Sequence, residues 1–378
     1  MTRPRNETNR HLFHVFSTFG VGGPQARLLS LANALRGQYR HTVLAMDGNL
    51  EAAAGFDRGV EWASVAMPVV KSSGISFANL RNARRLLRRY RPDLLLTYNW
   101  GAIEWALANW AFPLCRHVHV EDGFGPDEAG GVLNRRRAVT RRVLLSHCER
   151  VVVPSYTLAA IAREQWRLPE SRVLYIPNGI DCARFARPPD PALLATLGIA
   201  AAAPVIGTVA GLRREKNLPR LVRIFACLPR ALGARLVIIG EGPERGAVLG
   251  EAARLGVAEQ VVLAGAMANP ERLLGRFDVF ALTSDTEQMP NSILEAMASG
   301  RAILATDVGD VRRIVAAENA PFVLPPGDEA ALGDALARLL HDPGLRDRLG
   351  QANREQVTTN FSLESMVARY DATFRGTA

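Results

Sequence analysis

Residues 278–310 read DVFALTSDTEQMPNSILEAMASGRAILATDVGD. The run Val279–Leu282 is apolar with no helical period, as a strand buried on both faces of a parallel sheet would be. A polar loop follows at 283–289. Pro290 suits the first turn of a helix, where its missing N–H is no loss. Across 291–299, Ile293, Leu294, Met297 and Ala298 recur at helical spacing. Gly300 stands where a C-terminal cap glycine belongs. Residues 302–305 form a second buried strand, and Asp307, Val308 and Gly309 a second loop. The stretch is a strand–loop–helix–strand unit of an α/β fold.

Two carboxylates mark this unit. Glu287 and Glu295 are eight residues apart, so a helix including both shows them on roughly one face. Glu287 falls at the helix mouth, where backbone N–H groups and the macrodipole attract anions. Such a mouth could hold a phosphate, with the two carboxylates reaching neutral hydroxyls on either side. The pair alone is more often two solvated glutamates. Followed by Ala296, Met297, Ala298, Gly300 and an apolar strand, it is far more specific. The whole stretch resembles the donor-site signature of retaining glycosyltransferases with the GT-B fold, and is most similar to glycosyltransferase family 4.

Other segments agree in order. Residues 12–16 read as a first strand, with Gly22 and Gly23 at its turn into an apolar-periodic helix. There glycine permits close backbone approach to a ligand. Strands at 41–46 and 93–98 follow, then a helix at 99–110. Residues 117–120 form a strand that runs into Glu121, Asp122, Gly123, Phe124 and Gly125; the edge outside such a strand end collects ligands. A helix near 132–148 leads to the next strand, and Ser155 reads as a helix cap. Pro177-Asn178-Gly179-Ile180-Asp181 is turn chemistry and resembles the segment that ends the first domain of the family. Residues 188–204 read as linker plus a small helix. Lys216 lies in a cationic loop with Arg213 and Arg214 after a buried strand. Gly240 opens a Gly-x-Gly-Pro turn, and Gly265 ends another strand.

Composition bounds the rest. With 378 residues, 48% of them apolar and 22% charged, the chain is globular and long enough for two domains. No apolar run reaches the 18 residues that span a bilayer, and the basic N-terminus lacks the apolar core of a signal peptide. The expected location is cytoplasmic. The scattered Cys115, Cys148, Cys182 and Cys227 suggest buried free thiols rather than a zinc site or disulfides. Residues 1–185 hold 25 Lys+Arg against 15 Asp+Glu, and residues 186–378 hold 21 against 22. The excess is therefore in the first half, much of it in Arg81, Arg84, Arg85, Arg88, Arg89 and Arg91, then Arg135, Arg136, Arg137, Arg141 and Arg142. Solvated helix faces and a surface for anionic lipid heads both account for these clusters. No nucleic-acid motif or basic–aromatic interleaving accompanies them, so nucleic acid is not an expected partner.

The resemblance covers essentially the whole chain and is most specific from 172 to 309. It implies two Rossmann-like, doubly wound parallel-sheet α/β domains facing a central cleft. These are an acceptor-side domain at 1–185 and a nucleotide-sugar donor domain at 186–361, with a helix at 362–378 crossing back. It implies a retaining glycosyltransferase that uses a nucleotide diphosphate-sugar, UDP- or GDP-linked. The acceptor is a hydroxyl, in our reading on a lipid-linked saccharide of bacterial surface polysaccharide synthesis at the inner face of the plasma membrane. Glu295 would bind the ribose hydroxyls and Glu287 would sit beside the donor sugar. Lys216 and Arg213, with Arg214 as the other candidate, would hold the diphosphate, aided by the backbone of Met289, Pro290, Asn291 and Ser292. Gly22, Gly23, Gly240 and Gly265 would approach the donor through their backbones. Three positions depart from the family pattern. Gly211 stands where an arginine is usual, Gln288 where a glycine is usual, and Asp122 where a histidine is usual, with His119 three residues earlier as the other candidate. These departures keep a non-catalytic nucleotide-sugar binder open, and a sugar-nucleotide epimerase is a further alternative. No Asp-x-Asp occurs, so no divalent metal or other cofactor is expected.

Overall fold

The computed structural model describes residues 9–69, 76–110, 112–123 and 135–378. The chain divides into two compact units, one running to Pro177 and taking in Met366–Ala378, the other Asn178–Ser365. The first contains β1 (Arg10–Phe16), β2 (Tyr39–Ala45), β3 (Glu61–Ser64), β4 (Leu94–Tyr98), β5 (Arg116–Val120), β6 (Arg150–Val153) and β7 (Val173–Tyr175). Among the described residues these form one parallel sheet in the order β3-β2-β1-β4-β5-β6-β7. The second unit contains β8 (Val205–Val209), β9 (Arg235–Ile239), β10 (Val261–Gly265), β11 (Val279–Leu282), β12 (Ala302–Thr306) and β13 (Val323–Leu324). Its parallel order is β10-β9-β8-β11-β12-β13.

Each sheet grows outward from its first strand in one direction and then restarts on the other side. The reversal falls between β1 and β4 in the first unit and between β8 and β11 in the second. At such a reversal the flanking loops diverge to opposite faces and leave a crevice at the carboxyl ends of the strands. The strands read as unbroken apolar runs because both faces are covered. In β9, Val237 and Ile239 enter one core while Leu236 and Ile238 enter the other, and Phe280 and Ala281 divide the same way in β11.

The fold departs from the sequence reading at several points. All four residues of β3 are exposed, so that edge strand has no apolar signature. The helix expected from 99 begins instead as a 3₁₀ turn at Trp100–Ala102, and the α-helix runs Ile103–Trp110. Asn99, with φ 56° and ψ −178°, cannot enter a helix. Of the thiols Cys148 is buried, but Cys227 is exposed. Of the arginine clusters, Arg81, Arg85 and Arg88 are exposed with Phe77 on the helix Phe77–Tyr90. Arg141 departs from the solvated-face reading: it is fully buried against Glu121, 3.2 Å away, and near the rings of Trp100 and Trp166. Phe124, Gly125 and the start of the helix placed from 132 lie outside the described residues.

The first sheet buries an unusual set of histidines. His14 bonds Tyr98 Oη at 3.1 Å and His41 at 3.0 Å, His11 bonds Thr42 at 2.8 Å, and His117 and His119 share the Thr97 hydroxyl at 2.8 Å each. Burial lowers the pKa of His11 and His14, and takes His41 to about 4 and His117 to about 3. These groups stay neutral in the folded state and take up protons once unfolded. Stability is therefore full above about pH 6.5 and is lost as pH falls through the window toward about 4. His41 and His117 should each withdraw roughly 3 kcal/mol across that window. Thermal melts at pH 7.5 and 4.5 check this: His41→Asn should flatten the pH dependence by its share, and an unchanged slope would remove His41 from the account.

Candidate functional site

In the second unit the loops after β8 and β11 meet at the sheet reversal. Several bonds tie them together. The Asp285 N–H donates to Glu215 O at 2.8 Å, Thr283 Oγ1 donates to Asn217 O at 3.2 Å, and Arg220 reaches Thr283 O at 2.9 Å and Asp285 at 2.7 Å. The result brings Lys216 onto Glu287. Lys216 Nζ donates to Glu287 Oε1 at 2.5 Å, and Ser284 Oγ donates to the same oxygen at 2.7 Å. Both charged side chains are largely shielded, 17% and 9% exposed. A third loop fixes the Glu287 backbone. Gly309 has φ 55°, and a Cβ there would lie 2.3 Å from Glu287 O, so only glycine lets the two loops come this close. Gln288 O accepts from the Asp310 N–H at 3.2 Å.

The helix after Glu287 runs Asn291–Ala298. Pro290 is its N-cap rather than a first-turn residue, and no side chain caps its opening N–H groups. Met289 is buried, and its Sδ accepts from the Asn178 N–H at 3.2 Å. The Asn178 amide donates to Met289 O at 3.3 Å and to Asn291 Oδ1 at 2.9 Å. The neighbouring Ser292 lies in the first helical turn. Glu295 lies further along this helix, beside the ion pair Arg184–Glu271 of 2.9 Å. Burial pushes its carboxyl up to about 7; Arg184 opposes the rise and Glu271 adds to it. Because Glu271 already engages Arg184, Glu295 has little counter-charge left to hold it ionised.

The remaining predicted donor residues lie at or after the ends of β8, β9 and β10. Gly240 and Gly265 end neighbouring strands and are joined by a bond of 2.8 Å from the Gly240 N–H to Gly265 O. Arg213 is an exposed side chain, 62% accessible, 3.2 Å from Glu215. Gly211 precedes it by two residues, and their backbones are bonded at 2.8 Å.

In the first unit Gly22 and Gly23 stand at the start of the helix Gly23–Ala34. Gly22 is extended, and a Cβ on Gly23 would meet nothing, so the fold itself does not require glycine at 23. The Asp122 carboxylate is held by both guanidinium nitrogens of Arg27, one bond measuring 2.7 Å. Its N–H donates to Asn99 Oδ1 at 2.7 Å. His119 is an interior residue, its ring set between Thr97 at 2.8 Å and Glu121 at 3.3 Å. Of the two candidates, Asp122 is the one partly open to solvent, and it is already ion-paired.

Sequence reasoning missed Arg27, Asn99, Ser284 and the Arg184–Glu271 pair. Arg27 did leave a signal. It lies four residues before Leu31, on the apolar stripe of its helix, where an arginine needs a buried partner. The others had none, because each is defined by a partner distant in sequence or by the packing around it.

Comparison with known proteins agrees with this architecture. Residues 21–184 match the family model described as Glycosyltransferase Family 4, and residues 192–356 match that described as Glycosyl transferases group 1. The chain is 27% identical over 306 residues to the 2-deoxystreptamine N-acetyl-D-glucosaminyltransferase of Streptomyces fradiae, covering 76% of this chain and 70% of that protein. It is 30% identical over 295 residues to the D-inositol 3-phosphate glycosyltransferase of Nocardia farcinica, covering 71% and 62%. It is 27% identical over 177 residues to the N-acetyl-alpha-D-glucosaminyl L-malate synthase of Bacillus anthracis, covering 47% and 46%. The chain thus matches from about half to about seven tenths of the length of these relatives. Among solved structures, Anabaena HepE in complex with UDP-glucose superposes with a TM-score of 0.81 at 16% identity, covering 97% of this chain and 99% of that one.

Proposed function

We propose that this chain, which belongs to the group 1 glycosyltransferases, moves a sugar from a nucleoside diphosphate to a hydroxyl with retention of anomeric configuration. The observation that carries the reading is the Lys216–Glu287–Ser284 cluster at the mouth of the uncapped helix Asn291–Ala298. As the glycosidic bond breaks, negative charge grows on the departing diphosphate. Lys216 and the helix N–H groups are placed to receive it, with Arg213 able to swing in from the loop edge. Glu287 stands beside the donor sugar and stabilises positive character at its anomeric carbon. Glu295, half-buried and weakly paired, accepts hydrogen bonds from the ribose hydroxyls. Cations and a helix end supply the charge that a divalent metal gives elsewhere, so the reaction we propose is metal-independent.

For the donor we propose a UDP- or GDP-linked sugar; HepE, which shares the fold, is described with UDP-glucose. For the acceptor we propose a lipid-linked saccharide at a membrane surface. Among the described residues no helix is long and apolar enough to cross a membrane. The helix Phe77–Tyr90 instead exposes Phe77 beside Arg81, Arg85 and Arg88, and the helix Arg135–Leu145 exposes Val139 and Val143 beside Arg135, Arg136 and Arg142. Arginine with apolar tips suits an anionic lipid surface. Vesicles containing phosphatidylglycerol should co-sediment the protein at low salt and release it at about 0.5 M, where charge attraction is screened within a few ångströms. No binding at low salt would sink this part.

Thermal shift against nucleoside diphosphates and their sugars tests the donor site, since a ligand of the folded state raises its melting temperature. We expect a rise with one base, unaffected by EDTA and lost in Glu295→Ala. A rise that EDTA abolishes would overturn metal independence. Binding without turnover on any acceptor would favour the non-catalytic binder that the engaged Asp122 and the exposed Arg213 keep in view.

A further inference from the structure

Asn99 holds a backbone conformation that asparagine seldom takes. Its φ of 56° with ψ of −178° lies beyond the left-handed well, in a region almost reserved for glycine, and such residues gather where function holds them. It sits at the carboxyl end of β4, beside the reversal of the first sheet. Two contacts keep it there. The Asn99 N–H donates to Val120 O at 2.9 Å, extending the β4–β5 ladder. The side-chain Oδ1 accepts the Asp122 N–H at 2.7 Å. Two residues on, a Cβ at Gly101 would lie 2.5 Å from Ser17 Cβ, so the turn cannot relax toward the loop after β1.

The Oδ1 contact settles which way the amide points. With Oδ1 engaged, Nδ2 is the end of the amide left to donate, and no bond from it to a described residue is formed. The residue this amide holds by its N–H is Asp122, whose carboxylate has two of its lone pairs taken by Arg27. An amide nitrogen only donates and a carboxylate only accepts. A hydroxyl both donates and accepts, so one such group of the acceptor can satisfy both at once.

We propose that Asn99 and Asp122 form a clamp for one hydroxyl of the acceptor, with Nδ2 donating to its oxygen and the carboxylate accepting its hydrogen. The strain at Asn99 persists because it turns the amide toward that hydroxyl. Arg27 cancels the charge of Asp122, so the clamp fits a neutral sugar or polyol hydroxyl and not a phosphate. This rests on the glycosyl-transfer reading above.

Asn99→Asp keeps an oxygen for the Asp122 N–H, tolerates the same backbone region and loses the donor. With UDP-glucose or GDP-mannose as donor and octyl glucoside as acceptor, the ratio of transfer to hydrolysis should fall at least tenfold. The thermal shift by nucleotide, which reads the donor site, should stay within twofold of the wild type. Asn99→Gly takes the same conformation without strain and should lose transfer equally; strain that served only folding would leave transfer intact there. Either variant partitioning like the wild type overturns the clamp, as does a wild-type protein that hydrolyses the donor but never transfers to a hydroxyl. A wild-type protein that neither binds nor hydrolyses any sugar nucleotide overturns the transfer reading itself, and the clamp with it.

Discussion

Glu295→Gln should weaken nucleotide-sugar binding about 100-fold and at the same time make the protein more stable at pH 8. The stability half follows from burial. The Glu295 carboxyl has its pKa raised to about 7 from an ordinary 4.5. A carboxyl that binds its proton more tightly when folded favours the folded state at low pH, and that advantage is lost as pH rises from 4.5 through about 7. Above that window the ionised group costs roughly 3 kcal/mol, the equivalent of the shift. Glutamine removes that cost. The variant should therefore match the wild type near pH 4 and exceed it at pH 8, in denaturant melts of the same chain. The binding half follows from chemistry. Two ribose hydroxyls donating to a carboxylate gain charge-assisted bonds that an amide cannot reproduce, roughly 3 kcal/mol or about 100-fold in affinity. Wild-type affinity should also weaken as pH falls below about 7, where Glu295 takes up its proton. A variant no more stable than the wild type at pH 8 would show that the carboxyl is better accommodated than its surroundings imply.

Lys216→Met should lower transfer by a factor of about 10²–10³, the scale seen when one preorganised donor to a developing negative charge is removed. It should also destabilise the second unit, because Glu287 would keep only Ser284 in a largely shielded place. The two effects can be separated. Adding Glu287→Gln removes the stranded charge, so the double variant should regain stability while remaining inactive. If stability does not return, the loss in Lys216→Met came from packing of the lysine stem. Chemistry offers a second route, since Lys71 and Lys216 are the chain's two lysines. A bound nucleotide should protect Lys216 from acylation.

The sequence by itself determined the class of fold and gathered the proposed donor-site carboxylates into one strand–loop–helix unit. Unbroken apolar runs alternating with 3.6-residue periods are the pattern of strands covered on both faces by helices. Backbone demands wrote Gly300 past a helix end and Gly309 into a tight approach. These signals are local, so they survive in one dimension. Only the tertiary structure decided what each charge faces. Lys216 meets Glu287 across 71 residues, and Arg27 meets Asp122 across 95. Both meetings follow from the order in which parallel strands add to a sheet, and periodicity carries no information about that order. Glu295 has little counter-charge because Glu271 already engages Arg184. Asn99 was read as the start of a helix because its propensity says nothing against one; its strain exists only where β4, β5 and the loop after β1 converge. Ion pairs and strain depend on which chain segments lie within a few ångströms, and that is a property of the packed sheet, not of the string.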